Sequence, residues 1–546
     1  MGQPWLHLFC FLVAMETKES ALTPFKYSAF RLFWFAALIS NIGTWMNSVA
    51  ASWLMVDLRT SPLTVALVQS ATTLPFLLLA LPAGALADII DRRKLIIIVN
   101  MMMMSAAAFF AYFVWKHAIS PQNLLVFTLL LGVGAAFTAP AWQSLIPGTV
   151  PKSHLSQAIA LGSININLSR AIGPAIAGIL VTHYGMPAPF AINALSFVAI
   201  IVATLLWKQT RSNSTSTIPP EKVWRAIRAG IRFSLFSKPL QVTMLHAFGF
   251  MFFANAFWGL IPVIAKETLQ GDAAFFASLM TAIGAGGIVT GLFLPNFKRW
   301  FKVNVLVMIG SFGTAVVTAY FDMVSSQWQA LAAGFVFGIS WVLVLSSVNI
   351  SAQHALPDWV RARGLAVFMM VFFGGISLGS TFWGWVASLY SVSVALNGSA
   401  IGAVIFQSLT YRLKLQQGGE MDLTPSLHWP VPMAAQTVGF DQGPVMVTIC
   451  YQVNQEDKQA FLRAIYRLKA VRLRNGVYRW GVFENAETPG QYLEYFIEDN
   501  WAEHLRHHER LPKADKILQD RVVVFHQGRE PPKVTHHISA DMPFDD

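Results

Sequence analysis

Between residues 29 and 412 the chain alternates long apolar stretches with short polar breaks. A helix needs about 20 mostly apolar residues to cross a bilayer. Twelve stretches are long enough, at 30–56, 62–87, 94–115, 122–149, 155–182, 188–207, 239–265, 273–295, 303–322, 328–354, 362–389 and 393–411. The breaks carry Gly, Pro or charge, which end helices. Past residue 444 the periods shorten. Residues 445–453 (VMVTICYQV) read as a strand, and 456–474 as a helix with Phe461, Leu462, Ile465 and Leu468 on one face. Residues 478–483 and 492–497 read as a strand pair around Thr488-Pro489-Gly490, 501–518 as a helix, and 522–525 as the last strand. That β-α-β-β-α-β order is the ferredoxin-like pattern. The predicted fold is therefore an all-α membrane body followed by a small α+β domain.

The domain plan follows. Residues 1–28 are an N-terminal segment, and 29–207 and 239–412 are two six-helix halves. A linker at 208–238 separates the halves, a second at 413–444 precedes the ferredoxin-like domain at 445–530, and 531–546 is expected to be a disordered tail. The apolar run Trp5 to Ala14 is too short to span and lacks the basic start of a signal peptide. Residues 1–14 are set aside, with Met15 as the alternative start. In the first linker Val223, Trp224, Ile227, Ile231 and Leu235 recur at helical spacing among Arg225, Arg228 and Arg232. This is a basic amphipathic helix that either lies on the inner leaflet or packs on the inside face of the body.

Composition and charge sharpen the division. Of 546 residues 55% are hydrophobic and 12% charged, about half the charged share of soluble domains. Residues 414–546 hold 15 Lys/Arg against 18 Asp/Glu, and residues 1–413 the other 24 against 10. With the N-terminus inside, 20 of those 24 cations fall on inside segments and only Arg59, Lys116 and Lys266 on outside loops. Positive charge stays cytoplasmic, so the net +11 reflects topology and not a nucleic-acid footprint. An even helix count places both termini in the cytoplasm. Two cysteines, Cys10 and Cys450, exclude a disulfide scaffold.

A shift of 206 residues aligns Pro151 with Pro357, Ala160 with Ala366, Gly173 with Gly379, Gly178 with Gly384, and Gln143 with Asn349. Repeated halves are a transporter signature. The loop after the second span reads GALADIIDRRK (84–94), with Gly84 for close contact, Asp88 at the membrane edge and Arg92 and Arg93 beyond. It resembles the Gly-x-Leu-x-Asp-Arg-x-Gly-Arg-Lys motif of the major facilitator superfamily. Ile89 and Asp91 depart from that motif, which puts the turn chemistry in doubt. The resemblance implies an inside gate that holds the outward-open state. The fifth span carries Gly173, Pro174 and Gly178, a partial likeness to that family's antiporter motif, which implies export.

Arg170 stands alone in the middle of the fifth span, where charge is costly and faces a cavity or a partner. It either binds an anionic cargo or bonds helix carbonyls structurally. Asp57, Glu267, Asp272 and Asp322 all sit near outer ends, so the usual mid-span proton relay is missing. His246 either titrates or is a satisfied hydrogen-bonding residue. Asn41, Thr44, Asn47, Ser48, Gln143, Asn255 and Asn349 are expected to line a wide, uncharged cavity, with Trp142 and Trp341 as stacking surfaces.

In the tail, His504, His507 and His508 have metal-ligand spacing, but EHLRHHER (503–510) alternates signs and reads as a solvated face. No metal and no cofactor is assigned. The tail resembles the antibiotic-biosynthesis monooxygenase family, which implies pairing of tail domains into dimers. With SAQHALPDWVRARGLAVFMMVFFGG (351–375) and DNWAEHLRHHER (499–510), the chain resembles the bacterial transmembrane secretion effector group, related to the enterobactin exporter. The expected activity is proton-driven export of drug- or siderophore-like molecules across the bacterial inner membrane by alternating access. The expected partners are the small-molecule cargo and the lipid bilayer, with no nucleic acid. Two rivals are a tail that senses or modifies cargo, and an organic-anion uptake carrier.

Overall fold

The computed structural model describes residues 22–207, 223–415, 422–426, 429 and 438–540. The first half comprises α1 (Ser28–Asp57), α2 (Pro62–Ile89), α3 (Arg92–Trp115), α4 (Pro121–Leu145), α5 (Leu155–Tyr184) and α6 (Pro187–Leu206). A shorter helix, α7 (Val223–Phe236), leads into α8 (Lys238–Val263), α9 (Ala273–Trp300), α10 (Val303–Tyr320), α11 (Gln327–His354), α12 (Arg361–Leu389) and α13 (Val392–Thr410). Eleven of the long helices are apolar enough to cross a membrane. The twelfth, α1, is diluted by Ser40, Asn41, Thr44, Asn47 and Ser48, but its 30 residues reach about 45 Å.

Short loops stop the helices cleanly because many begin on a capping side chain. Ser61, Ser120, Asp272 and Ser391 each accept a backbone N–H of the first turn, and Ser326 forms a reciprocal capping box with Gln329. Asp91, which looked out of place in the loop motif, is the cap of α3 and accepts from the N–H groups of Arg93 and Lys94.

The two halves repeat in their contacts. A Cβ on Gly173 would lie 2.5 Å from Trp45 Cβ on α1, and one on Gly379 2.3 Å from the Phe252 carbonyl on α8. A Cβ on Gly178 would lie 2.6 Å from Ala277 Cβ on α9, and one on Gly384 2.5 Å from Ala66 Cβ on α2. Each aligned glycine thus lets α5 or α12 touch the equivalent helix of its own half and of the other half.

The halves meet through α2 against α12 and α5 against α9. Their closest contacts lie at the end away from the tail domain. Leu63 N donates to Ser388 Oγ (2.8 Å), Ser70 Oγ donates to the Ser377 carbonyl (2.9 Å), and Phe76 stacks on Phe373 at 4.4 Å. Trp53 stacks on Phe276, and Lys266 Nζ reaches Asp57 Oδ1 at 2.6 Å. Toward the tail end, added Cβ atoms at Gly84, Gly162 and Gly291 would meet only open space. The described contacts between the halves thus run from the far end to mid-span.

The tail sheet has the order β2-β3-β1-β4, all antiparallel. Its strands are β1 (Val445–Gln452), β2 (Arg479–Glu484), β3 (Gln491–Glu498) and β4 (Lys533–Ile538). Helices α14 (Lys458–Arg474), α15 (Trp501–Arg510) and α16 (Lys513–Val523) complete it, around a core of Val447, Phe461, Ile465, Phe496 and Trp501. The ferredoxin-like pattern holds with three corrections. The single helix expected at 501–518 breaks at Pro512, which holds Leu511 extended. Residues 522–525 are not the last strand: Val522 is buried on the end of α16. The last strand is β4, inside the stretch expected to be disordered. Its sequence KVTHHI is too polar for an apolar alternation to announce it.

Helix α7 packs on the body, the second reading of the amphipathic segment, and also touches the tail. Phe233 meets Trp359 edge-on at 5.9 Å, Arg474 lies 5.4 Å over Phe233, and Arg232 Nη1 donates to the Gly476 carbonyl at 2.5 Å. One face therefore joins body to tail, while Trp224 and Leu235 stay exposed.

Candidate functional site

Arg170 is the one charged side chain set in the middle of the described long helices. Gly173, one turn along α5, draws α1 close and brings Trp45 beneath it. The Arg170 guanidinium lies 5.2 Å over the Trp45 ring, within cation–π range. Its Nε is buried with no hydrogen-bond partner among the described residues. On α1, Asn47 is buried and its Oδ1 likewise has none. The next residue of α5, Ala171, packs against Gly284 of α9, so Arg170 sits where the two halves meet. A fixed cation over an aromatic face can hold an anionic group carried on an apolar body.

The remaining polar positions divide by what they touch. Asn41 Nδ2 donates to Asn165 Oδ1 (2.9 Å), and Asn165 Nδ2 to the Trp34 carbonyl (2.8 Å), which pins α1 to α5. His246 Nε2 lies 3.2 Å from the Leu413 carbonyl, tying α8 to the end of α13. Asn255 is 1% exposed, donates to the Met251 carbonyl and meets Ser380 Oγ of α12. These three hold helices together. Gln143 is exposed, and Asn349 is half-buried and bonded to the Leu345 carbonyl. Trp142 packs on Phe33, and Trp341 belongs to a cluster with Phe250, Trp258 and Phe337. Both are packing residues here.

In the loop motif Gly84 faces open space and the Asp88 side chain lies outside the described residues. Arg92 opens α3, and Arg93 Nη2 donates to the Leu205 carbonyl at 2.6 Å, a bond within its own half. Pro174 lies inside α5, with Gly178 at the contact to α9. The closed gate is at the other end, where Asp57 meets Lys266 across 209 positions of sequence. Both were visible as outer-loop charges, but nothing local pairs them.

Two features of the tail escaped the sequence. Arg472 and Glu494 form a buried ion pair (Nε to Oε1, 3.0 Å), and Tyr451 Oη and Trp480 Nε1 also donate to the Glu494 carboxylate. The histidine run is not solvated: His504 is 0% exposed and His507 1%. Both Nδ1 atoms face the Glu498 carboxylate. Burial opposes the Glu498 charge, but His507 and His504 outweigh it and hold its carboxyl below the usual range. Burial, then His504 and His507, push His508 down to about 3, and burial with His504 pushes His536 down to about 4.

The comparisons with known proteins bear on the fold and the family. The transmembrane secretion effector family profile matches residues 19–544, tail included. The "Staphyloferrin A transporter" of Staphylococcus aureus (strain NCTC 8325 / PS 47) is 23% identical over 397 residues, 71% of this chain and 97% of that protein. The "Multidrug efflux pump Tap" of Mycobacterium tuberculosis (strain ATCC 25618 / H37Rv) is 28% identical over 209 residues, 37% of this chain and 50% of that protein. Among solved structures, a bacterial homolog of the human lysosomal transporter Spinster, inward-facing and unoccupied, superposes with a TM-score of 0.55 at 14% identity. That match covers 70% of this chain and 95% of the other, and it shows the fold alone. With a repeated helical body and a family match over nearly its whole length, the chain belongs to the transmembrane secretion effector family and is a multi-pass membrane transporter of the major facilitator type.

Proposed function

We propose that this chain exports small organic molecules that carry an acidic group on an apolar frame, by alternating access across the bacterial inner membrane. Arg170 carries the reading. A cation without a carboxylate partner, at the seam of two halves, attracts an anion from the side that is open. Of the 20 body cations among the described residues, 16 lie toward the tail end, so we assign that end to the cytoplasm. Open space beside Gly84, Gly162 and Gly291 toward that end supports loading from inside. The relatives named for a siderophore and for multidrug efflux support a bulky organic cargo. The proposed driving force is the proton gradient.

Everted membrane vesicles test this directly. A panel of acidic, neutral and cationic fluorescent cargos is offered with an imposed proton gradient. The expected result is accumulation of acidic amphipathic cargos that collapses with a protonophore. No accumulation of any cargo would refute export. Accumulation that survives the protonophore would refute proton coupling alone.

A further inference from the structure

We propose that the tail domain holds a divalent transition-metal ion of the Zn²⁺ class on three histidines: His504, His508 and His536. One ring nitrogen from each lies within 4.8 Å of the other two. His504 and His508 stand one turn apart on α15, and β4 brings His536 beside them, its ring centroid 4.7 Å from that of His504. The ligand set therefore joins a helix to an edge strand 28 residues further on.

The second layer of contacts fits a metal site. The His504 Nδ1 lies 2.6 Å from Glu498 Oε2, so a neutral His504 keeps its proton there and turns the Nε2 lone pair outward. Metal-ligating histidines are commonly oriented in this way by a carboxylate. The His504 Nε2 faces the His508 Nε2 at 3.2 Å. Two nitrogens bound at about 2.0–2.1 Å in a tetrahedral site lie about 3.4 Å apart. An electron-poor centre between them, a proton or an ion, relieves the opposition of two lone pairs. The Trp501 ring packs on His504 at 5.3 Å and lies 6.2 Å from that of His536, walling one side against water. His508 and His536 are half-buried, which leaves an approach from solvent. All-nitrogen donors select Zn²⁺, Cu²⁺ or Ni²⁺ over Mg²⁺ and Ca²⁺. Three protein ligands leave the fourth position for water or an external ligand, as in reactive rather than closed structural sites. On the same helix Arg510 lies 4.5 Å over Trp359, in the loop before α12, so the site is one helix away from the membrane body.

The test uses the full chain in detergent, purified without a polyhistidine tag, stripped with chelator and titrated with Zn²⁺ against a chromophoric competitor. The expected result is one ion per chain at micromolar affinity or tighter. His504 is fully buried and its loss can unfold the domain, so the half-buried ligands carry the test. His508→Gln and His536→Gln each weaken binding at least about thirtyfold, and Glu498→Gln weakens it about ten- to hundredfold. The exposed His183→Gln on α5 leaves binding unchanged, and every variant keeps its gel-filtration profile. Co²⁺ added to the stripped protein gives the visible absorption of a four-coordinate nitrogen site, which both ligand variants lose. Failure of the wild type to bind Zn²⁺ stoichiometrically overturns the proposal, as does stoichiometric binding that survives both ligand variants.

Discussion

Two arginines frame this molecule, Arg472 buried and Arg170 half-buried. Arg472, in the tail, has Glu494 against its guanidinium, with Tyr451 and Trp480 completing the carboxylate's bonds. Arg170, in the membrane body, has among the described residues the Trp45 ring but no carboxylate; a nitrogen of each guanidinium, Arg170 Nε and Arg472 Nη1, is without a hydrogen bond. A buried charge is tolerated when its partner is buried with it. Arg472 meets that condition and is part of the architecture. Arg170 has no carboxylate partner among the described residues, which is why the proposed cargo site is built on it. The contrast says where to expect effects on stability and where to expect effects on transport.

The largest expected effect lies in the tail. Arg472→Met strands the Glu494 carboxylate in the core and destabilises the domain by about 3–5 kcal/mol, read as accelerated proteolysis of residues 445–540 in the intact chain. Pairing it with Glu494→Leu recovers most of that loss. A single variant as stable as the wild type would erase the distinction between the two arginines. Next, Trp45→Ala removes the ring under Arg170, a contact worth about 0.5–2 kcal/mol. Transport of acidic cargo should fall about threefold to thirtyfold with the melting temperature little changed. A large melting shift instead would make Trp45 a packing residue and weaken the cargo site.

Acidification should act on the tail alone. The folded-state values of His508 and His536 are lowered, so the unfolded chain takes up protons first as pH falls below about 6.5. Stability is therefore lost downward from that point, until the folded values near 4 and 3 are reached. Glu498, also held down, adds its own loss only below the ordinary carboxylate range. Discounted for the partial exposure of both rings, the loss between pH 7 and pH 5 is about 1 kcal/mol. Hydrogen-exchange protection in β1 and β4, corrected for the intrinsic rate at each pH, measures it, and greater protection at pH 5 would contradict the burial of these rings. The smallest effect belongs to the far-end gate. Asp57→Asn removes an exposed ion pair worth less than about 1 kcal/mol. It should raise labelling of a cysteine placed at Ser70 without altering the melt.

The long helices were legible because each is a long, mostly apolar run, and six of the twelve follow a capping side chain. The repeat was legible because glycines at helix contacts cannot be exchanged for larger residues, as Gly178 and Gly384 show. The division of polar residues between cavity and helix contacts was not. Asn41, His246 and Asn255 have the same inward placement as Asn47, and only the packing shows that they bond neighbouring helices. The histidine run looked solvated because its alternating charges are local. Its burial comes from Glu498 and the sheet. β4 stayed hidden because an edge strand with few apolar side chains carries no period, and with it went the third histidine. Arg170 was legible from one fact, a lone charge in an apolar span.

The most direct test of the account compares acidic and neutral cargos in the same everted vesicles for the wild type, Arg170→Ala and Arg170→Lys. Arg170→Ala should lower accumulation of the acidic cargo at least about tenfold, a loss of about 1.4 kcal/mol. The neutral cargo and the melting temperature should hardly change, and Arg170→Lys should recover part of the loss. Equal accumulation of the acidic cargo by wild type and Arg170→Ala would contradict the claim that Arg170 anchors the cargo.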